Sequence, residues 1–182
     1  MMRRMRTIRF RFSPTKARAA ILWMLQPSTQ PLDLHTVLKA CYFADKEHLN
    51  RHARPIFGAD YRAMKYGPVP LQIYEMLKGE PLWLPELDAS DYPWRLTGYQ
   101  LVRTANESEP DLDCLSKSDV AAIEHGFTKS KGLDFNERTA ATHGVDWQRA
   151  NLGMMRYEDM LDDEGQQETV QYLRETAHLM RL

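Results

Sequence analysis

The segment that begins at Leu34 restricts the fold of this chain more than any other. Asp33 precedes it as a helix N-cap, and apolar residues then recur at spacings of three and four: Leu34, Val37, Leu38 and Cys41. This spacing is typical of an amphipathic helix that packs one side on a core. We predict that the helix ends near Arg54, because a residue before proline avoids helical geometry.

Polar residues continue the apolar side of this helix. At 100° per residue, Asp45, His48 and His52 fall within roughly 60° of the direction of Leu34. Other neighbours are expected to point elsewhere: Lys39, Phe43, Lys46, Glu47 and Asn50. Glu47 therefore cannot share a site with Asp45 on a straight helix.

Asp45, His48 and His52 form a polar stripe on this helix, and the stripe has three interpretations. His48 and His52 have a spacing that can bind a metal ion, but Leu49 stands where zincins have Glu. An Asp45–His48 pair, with His143, could serve a small hydrolase or lyase as an acid–base pair. The third interpretation is structural, because an unpaired buried carboxylate costs on the order of several kcal/mol. We favour the structural interpretation and predict no metal, no cofactor and no catalytic residue.

Composition narrows the class of protein. The 182 residues, 43% of them hydrophobic, suit one well-buried domain. The 24 Lys and Arg nearly balance the 25 Asp and Glu, so no global field attracts nucleic acid or an anionic membrane. Apolar runs are too short for a membrane span, and the two cysteines form no CxxC pair. We expect a soluble, cytoplasmic protein.

The remaining segments predict an α+β fold that is mainly α, a compact multi-helix domain with a small antiparallel β element. Ser13-Pro14 and the capping box from Ser116 to Asp119 each begin a helix, the first of which runs to Pro27. "GADYRAMKY" is a candidate strand, and "GPVP" ends it and can start another helix that runs through Leu71, Tyr74 and Leu77. An irregular loop is expected from Gly79 onward, before a hairpin in "WRLTGYQLVRT".

The final third of the chain is predicted to contain short helices. "DFNERTAATHG" reads as a helix, "VDWQRAN" as a turn that Asp146 caps, and "YEDMLDD" as a short helix. "ETVQYLRETAHLM" has an apolar stripe that predicts a last helix. We divide the chain into a basic arm (1–12), a domain (13–164) and a C-terminal helix (165–182) that packs on the domain or extends it.

The basic arm has three interpretations. "RRMRTIRFRF" alternates aromatic and basic residues, so Arg9, Phe10, Arg11 and Phe12 could form an edge strand that binds a partner. The same residues could bind nucleic acid in a DNA-binding regulator, although no helix-turn-helix is evident. A flexible, solvated terminus is the third interpretation.

Three motifs in a fixed order resemble a known family. These are "LKACYFADKEHLNRHARPIFGADYRAMKYGPVPLQIYEML", "THGVDWQRA" and "RYEDML". They resemble the Panacea domain of SocA-type antitoxins, which are also described as phage-associated GepA-like proteins. The similarity extends from Lys16 to Leu161.

The resemblance implies an antitoxin of a toxin–antitoxin pair. Such a protein binds and neutralises a cognate protein toxin, encoded next to it, without catalysis. The resemblance does not identify the toxin, since family members are paired with toxins of unrelated fold, and it leaves the oligomeric state open. The family pattern falls on ten positions, which either support the fold or contact the toxin: Tyr42, Asp45, Tyr61, Lys65, Tyr66, Gly67, Pro68, Val69, His143 and Trp147. The arm before Ser13 and the helix after Glu164 lie outside the pattern.

Overall fold

A long helix, α2 (Leu34–His52), lies at the centre of the fold in the computed structural model. The structure describes residues 6–26, 31–104, 111–162 and 166–182. The Asp33 side chain caps α2 by accepting a hydrogen bond from Thr36 N at 3.2 Å, and Ala53 ends it in the left-handed conformation (φ 52°). The predicted cap is confirmed, and so is the predicted end to within two residues.

Shorter helices surround α2. They are α1 (Pro14–Met24), α3 (Leu71–Leu77), α4 (Lys117–Lys131), α5 (Phe135–Ala141), α6 (Val145–Ala150) and α7 (Gln167–Thr176). The predicted caps of α1 and α4 are confirmed, and Ser116 and Asp119 exchange the two hydrogen bonds of the capping box at 3.1 and 3.0 Å. Pro27, the predicted end of the first helix, lies outside the described residues.

Two small antiparallel sheets complete the fold. One has the order β1-β5-β4, formed by β1 (Leu32–Asp33), β4 (Trp94–Thr97) and β5 (Gln100–Arg103). The other pairs β2 (Tyr61–Met64) with β3 (Gly67–Pro70), in a register that sets Met64 opposite Gly67. The predicted α+β, mainly α, class and the predicted hairpin in residues 94–103 are confirmed.

The helix predicted to follow "GPVP" is confirmed as α3, which begins at Leu71 directly after Pro70. Two local predictions were wrong. The segment "GPVP" is itself strand β3, because a two-stranded sheet tolerates prolines whose missing N–H faces away from the partner. "VDWQRAN" is helix α6, preceded by Gly144, and Asp146 does not cap it. The predicted irregular loop contains two short 3₁₀ turns, Pro81–Trp83 and Pro85–Leu87.

Helix α2 is buried on nearly every side, which corrects the prediction of a single buried face. Helix α4 comes so close that a Cβ at Gly126 would lie 2.6 Å from Ala40 O. Lys39 and Phe43, which we expected to point away from the core, are only 1% and 6% exposed. His52, which we placed on the buried side, is exposed at the end of the helix. A helical projection therefore misassigns side chains when two elements cover one helix.

The described part of the basic arm packs against the domain. Ile8 and Phe12 are buried, and the Phe10 ring meets Tyr157 edge to face at 4.8 Å. Arg9 and Arg11 are exposed, and residues 6–13 form no strand. The proposed domain limits stay predictions, since residues 1–5 and 163–165 lie outside the described residues.

Two apolar residues anchor the C-terminal segment, which comprises α7 and a 3₁₀ turn, Ala177–Leu179. Leu173 and Ala177 are buried in the hydrophobic core. Among the described residues, no helix has both the length and the apolar character required to cross a bilayer.

Candidate functional site

Asp45 lies in the interior with both carboxylate oxygens occupied. Ile56 N and Phe57 N donate to its Oδ1 at 2.7 and 3.1 Å, and the Tyr61 hydroxyl donates to its Oδ2 at 2.8 Å. Asp45 is 0% exposed. Burial raises its pKa to about 6, and these hydrogen bonds hold the pKa below the value that burial alone would give. The carboxylate thus fastens the 56–57 segment and strand β2 to helix α2.

His48 does not pair with Asp45, as the acid–base interpretation required. Its Nδ1 lies 2.8 Å from Arg54 O, and its Nε2 lies 2.9 Å from Ser118 Oγ and 3.2 Å from Asp119 Oδ1. Burial lowers the pKa of His48, which favours the neutral imidazole. The polar stripe of α2 is therefore divided between separate sets of partners.

Asp119 is the centre of a buried ion-pair cluster that joins three parts of the chain. Lys16 Nζ on α1 lies 2.7 Å from its Oδ2, and the Arg54 guanidinium lies 3.0 Å from its Oδ1. Burial alone would raise the pKa of Asp119, but the Lys16 hydrogen bond and the nearby positive charges lower it. The sequence predicted Asp119 as a helix cap, while its ion-pair partners are too distant in the chain for any sequence pattern to indicate.

Tyr42 forms a second link, from α2 to α6. Its hydroxyl donates to Asp146 Oδ2 at 2.5 Å, and Lys46 Nζ lies 3.4 Å from the same oxygen. Trp147 N donates to the other oxygen at 2.9 Å. Asp146, predicted as a cap, is thus the buried partner of a family-signature tyrosine.

The turn between β2 and β3 rests on this interior. A Cβ at Gly67 would collide with Thr142 Oγ1, and the φ of +102° also requires glycine. Beneath the turn, Lys39 Nζ donates to Pro68 O at 2.7 Å. Burial and the charge of Arg138 lower the pKa of Lys39 to about 7.

Trp147 and His143 support the same turn from its other side. Trp147 Nε1 donates to Met64 O at 2.9 Å, next to the turn. The His143 ring stacks on the indole with a centroid separation of 3.7 Å. This stack fixes α6 against the end of β2.

Three exposed side chains and one half-buried histidine surround the turn, and we call them the aromatic turn surface: Lys65, Tyr66, Phe135 and His35. Tyr66 and Phe135 are 47% and 44% exposed, and their rings meet at 5.2 Å. The His35 ring lies 4.4 Å from Phe135, and its Nε2 lies 3.0 Å from Tyr66 O. Sequence reasoning missed His35 and Phe135, because their approach to Tyr66 depends on long-range packing.

The ten family-signature residues thus differ in their exposure to solvent. Six are buried: Tyr42, Asp45, Tyr61, Gly67, Pro68 and Val69. His143 and Trp147 are half-buried, while Lys65 and Tyr66 are exposed. Phe10 and Phe12 of the arm contact Tyr157 and Trp83, not the turn.

The residues that the structure describes contain no cluster of three or more His, Cys, Asp or Glu side chains that could hold a metal ion. The His48 and His52 rings contact each other at an angle of 40°, with centroids 4.5 Å apart.

Comparison with known proteins identifies a family. A family model described as "Antitoxin SocA-like, Panacea domain" matches residues 37–148. All ten signature positions fall within this range, whereas the arm and α7 lie outside it. No curated protein shows significant similarity to the chain, and no solved structure does either.

Proposed function

The chain belongs to the antitoxin SocA-like family with a Panacea domain, and from that premise we propose that it neutralises a cognate protein toxin by direct, non-catalytic binding. The family supports an antitoxin role in general. The finer proposal is that the toxin is encoded by the neighbouring gene and is held on the aromatic turn surface. We propose the cytoplasm as the place where this happens.

The observation behind the binding site is the exposure of Tyr66 on a rigid support. Signature residues in the interior have partners inside the chain, but Tyr66 offers nearly half of its surface to solvent beside the equally exposed Phe135. Aromatic side chains are enriched at protein interfaces and provide much of their binding energy. A turn fixed by Gly67, Lys39 and Trp147 loses little conformational freedom on binding, which favours affinity.

The non-catalytic part of the proposal rests on access and on pairing. Asp45 and His48 are both 0% exposed, and they bond to different partners. An acid–base pair must come within hydrogen-bond reach of its substrate. In this arrangement a substrate would have to displace the bonds that fasten α2 to its neighbours.

Co-expression with the product of the neighbouring gene tests the proposal. We expect that gene alone to arrest growth, the wild-type chain to restore growth, and the two proteins to purify together. Tyr66→Ala combined with Phe135→Ala should abolish both effects, because the substitution removes two exposed rings from the aromatic turn surface. Tyr172→Ala is the matched control, since Tyr172 is 52% exposed and lies outside the family match.

Thermal unfolding followed by circular dichroism must show that all variants remain folded. A neighbouring gene without toxicity, or toxicity that the wild-type chain does not relieve, would overturn the antitoxin proposal. Full protection by the double variant would instead reject the aromatic turn surface as the binding site.

A further inference from the structure

Two segments outside the family match meet on one side of the domain. Gly58 marks the meeting point, because a Cβ there would lie 2.6 Å from Arg11 O and 2.7 Å from Leu182 Cδ1. Its φ of +71° is one that glycine adopts readily. Ser13 N also donates to Phe57 O at 2.9 Å, which holds the arm in this position. The arm and the C-terminal segment thus form one continuous surface.

This surface presents three exposed arginines: Arg9, Arg11 and Arg181. Buried Ile8 and Phe12 bracket Arg9 and Arg11 in an alternating pattern, so both arginines point outward. Arg181 is exposed and lines, with Arg11, a cavity of about 380 Å³. Within the described residues, no carboxylate forms an ion pair with any of the three.

Several arginines elsewhere on the chain have a carboxylate partner. These are Arg51 with Glu47, Arg54 with Asp119, Arg149 with Asp159, and Arg156 and Arg174 with Glu158. The whole chain has a net charge of -1, so Arg9, Arg11 and Arg181 together form a local excess of positive charge. Unpaired surface cations attract and orient an oppositely charged partner.

We propose that Arg9, Arg11 and Arg181, the flanking arginine surface, dock an acidic surface of the protein toxin. This inference rests on the proposed antitoxin function and adds a second contact, one that lies outside the family match. The matched domain would provide the aromatic contact, while the flanking segments would decide which toxin surface is accepted.

The surroundings of the arginines favour a protein over a nucleic acid. The cavity between Arg11 and Arg181 is also lined by Phe12, Pro14 and Leu182, and apolar walls of this kind suit side chains better than phosphates. Glu86 lines the same cavity, and a protein surface can place a polar or basic side chain opposite it, whereas a phosphate backbone presents only negative charge.

A charge-reversal variant tests the proposal: Arg9→Glu, Arg11→Glu and Arg181→Glu combined. The matched control reverses three exposed cations elsewhere, with the same change in net charge: Arg95→Glu, Lys117→Glu and Lys131→Glu. Affinity for the protein encoded by the neighbouring gene is measured by titration calorimetry at low and high salt, and duplex DNA and RNA are tested by gel shift. We expect about a tenfold or greater loss of toxin affinity for the first variant, little loss for the control, and a wild-type affinity that falls with salt.

The outcomes separate the two proposals. If the wild-type chain binds no toxin, the antitoxin proposal fails. If the wild-type chain and the flanking-arginine variant bind the toxin equally, the antitoxin function stands and the flanking arginine surface is rejected. Nucleic-acid binding that the variant loses, together with unchanged toxin affinity, would reassign the surface to a nucleic acid.

Discussion

The interior of the domain and the turn between β2 and β3 place family-signature residues in opposite environments. In the interior, buried Asp45 accepts hydrogen bonds from the buried Tyr61 hydroxyl and from two backbone N–H groups. At the turn, Tyr66 keeps nearly half of its surface in solvent. We therefore propose that the buried signature residues serve stability and that the exposed ones serve recognition. Substitutions should therefore separate them.

The largest effect on stability is expected for Asp119→Ala. This change removes the carboxylate from Lys16, Arg54 and buried His48, and an uncompensated buried charge typically costs about 3–5 kcal/mol. Urea denaturation at pH 7 measures the loss in the free energy of unfolding. A loss below about 1 kcal/mol would show that the cluster contributes little to the interior.

Lys39 should make stability depend on pH. Its pKa is lowered to about 7 in the folded chain from an ordinary 10.5, so the unfolded chain binds more protons between these values. The contribution of Lys39 to stability is therefore complete above pH 10.5 and is lost as the pH falls through 7. We expect Lys39→Met to reduce the rise in unfolding free energy between pH 7 and 10 by about 2–4 kcal/mol.

Denaturant titrations of wild type and Lys39→Met across this range provide the measurement. Parallel pH profiles for the two proteins would mean that Lys39 keeps its ordinary pKa in the folded chain.

Asp45→Asn should have a smaller effect, about 1–2 kcal/mol. The amide oxygen can still accept from Ile56 N and Phe57 N, but the amide nitrogen replaces the acceptor that the Tyr61 hydroxyl uses. Thermal unfolding measures the loss, and toxin affinity should stay unchanged. A variant of unchanged stability that loses function would reverse our structural interpretation of Asp45.

Tyr66→Ala is expected to change stability least, by less than about 1 kcal/mol, because its main packing partner is the single exposed ring of Phe135. The same change should strongly weaken toxin binding. A loss of several kcal/mol in a denaturant titration would instead assign Tyr66 to the structural part of the signature.

The sequence was a good guide to local structure and a weak one to long-range contacts. The caps at Ser13, Asp33 and Ser116 were predictable because each depends on residues within one turn. Strand β3 was missed because two prolines argue against a strand until its single partner is known. Burial of Lys39 was missed because it follows from the packing of β3 against α2.

The candidate site shows the same limit, because its long-range contacts could not be predicted from the sequence. The resemblance marked Tyr66, but nothing near it in sequence points to Phe135, which arrives from α5. The resemblance also includes Tyr42, whereas its partner Asp146 lies 104 residues away and is predicted from the sequence only as a helix cap. Residue types were therefore predictable, and their partners were not.

The most direct test of toxin binding by the aromatic turn surface is the affinity of Tyr66→Ala for the protein encoded by the neighbouring gene. Titration calorimetry measures this affinity beside those of wild type and Tyr172→Ala. We expect a loss of at least about tenfold, equivalent to about 1.4 kcal/mol, for Tyr66→Ala and none for Tyr172→Ala. Equal affinities for the three proteins would contradict a role for Tyr66 in toxin binding.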